Sequence, residues 1–207
     1  MISALLKWTC QLRARSLNPV NKSQIKPDIY QRALVKSTRN LSTITLLSWL
    51  SMLGFDFLLH AGLLSWIYLE PGPFLLPPER MFRLIPLGYL SFLLMAVLLC
   101  WLMVTHDVVG WFKGSVFGLK LGGLIWGSLI LGLASISTAE FSLLLGWFIG
   151  QTIEIGIAGA VIGSALGGIR LRRLFVMVSA FVIFSLIITV VLQVTGLAPA
   201  ALVINSK

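Results

Sequence analysis

Five apolar runs fill most of the chain between residues 41 and 194, each of about 20 residues or more, the length that crosses a bilayer's hydrocarbon core. Segments in lipid must satisfy their own backbone hydrogen bonds, so such runs form helices or a closed barrel. The period-two alternation of a barrel is absent. The chain is 57% hydrophobic and 11% charged, with mean hydropathy +0.96. A soluble domain of 207 residues would need a polar shell that this composition does not supply. The expectation is therefore an all-α, polytopic integral membrane protein: a bundle of five transmembrane helices.

Residues 1–40 read as a basic tail, residues 41–196 as the bundle and residues 197–207 as a short C-terminal tail. The spans are expected at about Leu41–Leu69, Leu84–Thr105, Ser115–Ile136, Phe141–Leu166 and Leu174–Val194. Between the first two lies "EPGPFLLPPER", whose prolines forbid a continuing helix. "HDVVGWFKG", "STAE" and "GGIRLRR" make the remaining connections. Residues 2–12 have the pattern of a short interfacial helix.

Lysine and arginine placement orients the bundle. With the N-terminus cytoplasmic, the inner segments hold Lys7, Arg13, Arg15, Lys22, Lys26, Arg32, Lys36, Arg39, Lys113, Arg170, Arg172 and Arg173, and the outer ones only Arg80, Arg83 and Lys207. An odd number of spans then puts the C-terminus outside. Trp66, Tyr68, Trp111 and Phe112 fit interfacial belts, whereas Trp49, Trp101, Trp126 and Trp147 read as packing residues. The net charge of +9 lies beside spans on one side, which topology and anionic lipid explain, so nucleic acid is not an expected partner. The arginine- and serine-bearing, acid-poor N-terminal segment also has the character of an organelle transit peptide. The preferred location is the bacterial inner (cytoplasmic) membrane.

Within the apolar runs a few polar residues stand out. Asp56 and His60 are four apart in the first span and Gln151 and Glu154 three apart in the fourth, so each pair shares a helix face. Asp56 and Glu154 are both expected near the midplane, with His60 and Gln151 about 5–6 Å further out. Ser185 is central in the fifth span and Lys120 lies inside the third, close enough to its inner end to snorkel. A central aspartate costs about 2.5–3.5 kcal/mol on insertion scales, so Asp56, His60 and Glu154 are expected to face one another, with Gln151 at the edge. Two carboxylates held together in such a slab share a proton or a cation rather than both staying ionised. The cluster thus has the chemistry of a proton relay, a cation site or a polar structural pin, since buried polar groups also hold transmembrane helices together.

No nucleophile motif, cofactor fingerprint or conventional metal spacing is legible, and Cys10 and Cys100 make neither a disulfide framework nor a metal motif. The cofactor and metal content is left undecided, and the balance leans away from an enzyme. His60 and His106 fall on opposite sides of the midplane, about 20 Å or more apart, which disfavours a haem between them. Glycines at four-residue steps, Gly114, Gly118 and Gly122 in the third span and Gly159, Gly163 and Gly167 in the fourth, permit close helix approach. They suit a hairpin of these two helices, and equally a homo-oligomer or a larger membrane complex.

"FDFLLH", "IPLGYL" and "GWFIGQTIEIGIAG" resemble an uncharacterised family of small bacterial polytopic membrane proteins with an acidic–histidine first helix and a glutamate-bearing late helix. The similarity covers roughly residues 50–165. It implies a four-helix plan, to which this chain adds the basic tail and a fifth span, and it links Asp56, His60 and Glu154 without bringing an activity. Two functional expectations follow. One is a proton- or cation-handling permease or transporter component; the other is a non-catalytic accessory or assembly subunit of a larger membrane complex.

Overall fold

A computed structural model describes residues 27–68 and 74–199. The basic segment up to Lys26, with the expected helix at residues 2–12, and the last eight residues lie outside them. The described residues form α1 (Pro27–Leu58), a π-turn (Leu59–Leu63), a 3-10 turn (Ser65–Tyr68), α2 (Pro78–Thr105), α3 (Trp111–Ile136), α4 (Phe141–Leu166) and α5 (Leu171–Val194), with no strand among them. Five helices are long and apolar enough to cross a membrane. Their outer faces are apolar too, as at Leu124, Leu131 and Phe184, all exposed. Helices that are hydrophobic all round are those of a large core or a membrane.

Helix boundaries depart from the sequence reading in three places. α1 begins at Pro27 and runs unbroken through the compositional change near Asn40, so the tail and the bundle are not separated by a break in the helix. α2 begins at Pro78 and takes in Pro86. Proline at the first helical position has its φ already set and no N–H to leave unbonded, so the last proline of the loop starts the helix. The first span, in turn, does not remain α-helical to Leu69. At Leu59 it widens, with Leu64 N–H donating to Leu59 O at 2.7 Å, the i to i+5 bond of a π-turn. The surroundings compensate for the disturbed ladder. Gln193 of α5 donates to Ala61 O at 3.0 Å and Ser65 Oγ to Gly62 O at 2.6 Å.

Consecutive helices run antiparallel, and α1 and α4 form the centre. α1 packs on α2, α4 and α5, while α3 packs almost wholly on α4. Trp49 is more than packing, since its indole N–H donates to Tyr89 O at 2.8 Å and ties α1 to α2. Leu41, Ile44, Met52, Leu99, Cys100, Met103, Ile155, Ala158 and Ile162 fill the core between α1, α2 and α4.

The glycine rows face each other inside this chain. A Cβ on Gly114 would meet the carbonyl oxygen of Gly159, and one on Gly159 would meet that of Gly114. Gly118 lies in the same way against Ile155 O, and Gly163 against Gly110 O. The loop joins in: Gly110, with φ +99°, donates its N–H to Gly163 O at 2.9 Å. α3 and α4 are therefore a hairpin in direct backbone contact.

Candidate functional site

The site is built where α1 gives way to the π-turn, opposite the N-terminal half of α4. His60 Nε2, in the π-turn, lies 3.2 Å from Asp56 Oδ1 in the last turn of α1, the i, i+4 pair. From α4, Gln151 Nε2 reaches Asp56 Oδ1 at 3.5 Å and His60 Nε2 at 3.4 Å. On its other side His60 Nδ1 is 2.6 Å from the Tyr68 hydroxyl, which accepts the Trp147 indole N–H at 2.7 Å. One assignment of protons serves the strongest of these contacts: Tyr68 donates to Nδ1, and Nε2–H and the Gln151 amide both donate to Asp56. The Gln151–His60 approach is then proximity alone. Burial pushes the Tyr68 hydroxyl up to about 12, with the Asp56 charge adding to the rise and the Trp147 N–H opposing it, so Tyr68 keeps its proton.

Glu154 lies one turn along α4 from Gln151 and is completely buried. Among the described residues neither of its carboxyl oxygens finds a hydrogen-bond partner. Gln151 and Asp56 are close enough to act on it electrostatically, but Gln151 falls short of bonding geometry. Side-chain exposure falls from 30% at His60 to 13% at Asp56, and the residues Gln151 and Glu154 are at 3% and 0%. The polar groups thus descend from a half-open rim to a closed end.

The arrangement differs from the expected one in its centre. Gln151, read as an edge residue, touches both Asp56 and His60, while Glu154 stands one turn further in. The cause is depth. The apolar helical part of α1 ends at Leu63 rather than Leu69, so its centre is near residues 51 and 52 and Asp56 sits about 7 Å beyond it. Gln151, offset to the same side of α4's centre, is level with the pair; Glu154 marks mid-height.

Tyr68 and Trp147, read as an interfacial-belt residue and a packing residue, also hydrogen-bond into the site. Eight residues after His60, a regular α-helix would carry Tyr68 about 12 Å away along its axis. The π- and 3-10 turns fold it back. Ser185 is buried in α5 with its Oγ unpartnered, and no hydrogen bond joins it to the other polar residues. Lys120 is exposed on α3. His106 ends α2, and its ring lies against Phe117. Among the described residues no three of His, Cys, Asp and Glu gather as a metal-ion set.

Tyr68→Phe should expose how much the rim depends on this hydroxyl. Removing it strands the Trp147 N–H and His60 Nδ1, at a cost of about 1–3 kcal/mol. The expected result is a lower thermal midpoint in detergent and a shifted Trp147 indole N–H resonance by NMR; an unchanged indole resonance would remove Tyr68 from the site.

The chain matches no family model, no curated protein and no solved structure. The roles of these residues therefore rest on their geometry.

Proposed function

We propose that the protein is a multi-pass protein of the bacterial inner membrane that handles protons or small cations, as a permease or a component of a transporter. Asp56 and Glu154 are the carriers and His60 is their relay partner. The observation that carries this reading is the Glu154 carboxyl, wholly buried at mid-height with both oxygens unpartnered. A structural pin stabilises a bundle through the bonds it makes, and Glu154 makes none. An ionised carboxylate in such a place is costly, so Glu154 rests as the neutral acid and becomes anionic only when a neighbour changes its charge.

Asp56 is that neighbour. An imidazole can take a proton at one ring nitrogen and release one from the other. His60 has Tyr68 on Nδ1 and Asp56 on Nε2; when the Tyr68 hydroxyl turns off Nδ1, a proton arriving there from the rim is matched by release of the Nε2 proton to Asp56. Charge arriving at or leaving Asp56 then acts on Glu154. Gln151 holds Asp56 in place through its amide donor.

The test is flux into proteoliposomes of the purified full chain, followed with a pH-sensitive dye, wild type against Asp56→Asn. Flux in the wild type and its loss in the variant is the expected outcome; equal flux in both removes Asp56 as a carrier. The accessory-subunit reading predicts no flux at all and a stoichiometric membrane partner on purification. The glycine rows that favoured such partners are occupied within the α3–α4 hairpin, so that reading would need other surfaces.

Orientation is testable separately. The basic residues favour a cytoplasmic N-terminus, and five crossings would then leave the C-terminus outside. Reporter fusions at the two ends should report opposite sides. Both ends on one side would mean that one apolar helix does not cross.

A further inference from the structure

The connection from α4 to α5 concentrates positive charge that the described residues do not answer. Arg170, Arg172 and Arg173 are exposed, and none makes a salt bridge among the described residues. Together with Gly167, Gly168, Ile169 and Val176 they line an open cavity of about 680 Å³. Gly168, at φ +93°, has open space where a side chain would begin, so the rim is unobstructed.

The position of the arginines on α5 is unfavourable without an anion. They occupy the N-cap and first turn, where the helix dipole is positive and acidic residues are preferred, and that turn contains no acid. The α5 ladder starts with Leu174 N–H bonding to Arg170 O, so the N–H groups of Leu171, Arg172 and Arg173 have no partner among the described residues. Topology alone requires basic residues near this end, but it does not require three of them around one cavity.

The walls identify the anion. Ile169 and Val176 are apolar, and Val176 lies inside the membrane-length apolar span Leu171–Val194, between exposed Phe175 and Met177. A cavity with guanidinium groups at its mouth and an aliphatic wall leading along an apolar helix fits an amphiphile. A free phosphate would leave that wall uncovered. We infer that the Arg170–Arg173 cavity binds the phosphate headgroup of an anionic phospholipid, with the guanidinium groups on the phosphate oxygens and an acyl chain along Val176.

The test uses the full chain in detergent and native mass spectrometry, with phosphatidylglycerol, phosphatidylcholine and inorganic phosphate as probes. Wild type is expected to retain phosphatidylglycerol about tenfold better than phosphatidylcholine, with no displacement by inorganic phosphate. Replacing all three arginines by lysine keeps the charge and the topological signal but removes the forked donors, so retention should fall about tenfold. If that variant does not fold, Arg172→Lys alone should still give a measurable loss. Equal retention of the two lipids, undiminished retention in the lysine variants, or displacement by inorganic phosphate would each overturn the assignment.

Discussion

Glu154→Gln is expected to abolish flux while leaving the bundle folded. Glutamine has nearly the shape of the protonated acid, so the packing around position 154 is preserved. The wild-type carboxyl makes no hydrogen bond that the substitution would break. Stability in detergent should therefore stay close to wild type, because exchanging a buried ionisable group for a neutral one is often neutral or stabilising. Transport should fall about a hundredfold or more, the scale of losing a proton-transferring group. Asp56→Asn should behave differently, since Asp56 is bonded to His60 and Gln151: its loss lowers flux and also destabilises the fold by about 1–3 kcal/mol, seen as a lower thermal midpoint. Wild-type flux in Glu154→Gln would show that the buried acid carries nothing.

The second large effect is structural. Gly114→Leu and Gly159→Leu should each separate α3 from α4. Filling a packed core with extra methylenes usually costs about 1–3 kcal/mol. Here the obstacle is a carbonyl oxygen of the facing helix rather than a side chain, and a helix backbone has no rotamer to change. The cost should exceed that range, and the hairpin should open to proteolysis at its "STAE" connection. Gly88→Leu and Gly132→Leu are the controls, because nothing lies within 4 Å of a Cβ at either position. Equal stability of all four variants would show that the close approach is dispensable.

Much of this architecture was legible because apolar length is a local property. The fourth span was bounded correctly at Phe141 and Leu166, where "STAE" and the following glycines interrupt the run on both sides. The glycine steps signalled a close approach, but small residues do not name their partner. Only the fold shows that Gly114 meets Gly159 rather than a second chain. The spacing of Asp56 and His60 made their contact readable, as both lie on one stretch of helix or its continuation. Their level relative to α4 was misjudged through a single error, the assumption that α1 stays regular to Leu69. Hydropathy reports where a chain is apolar and is blind to a change from 3.6 residues per turn. Tyr68 was missed for the same reason. The Trp147 indole N–H, inside an apolar run, offered a hint, since such a donor needs an acceptor.

That irregularity has a mechanical meaning. A π-turn is an α-helix holding one residue too many, so Leu59–Leu63 stores a unit of slack in the chain. Drawing that residue out would rotate everything beyond it by about 100° and shift it by about 1.5 Å relative to Asp56. Tyr68 would swing off His60, whereas Asp56, Gln151 and Glu154, all on the near side of the turn or on α4, would keep their places. Gln193 and Ser65, bonded to the carbonyls of Ala61 and Gly62, hold the turn in the register that sets Tyr68 against His60. The rim of the polar descent is therefore placed by an irregular turn and its interior by regular helix.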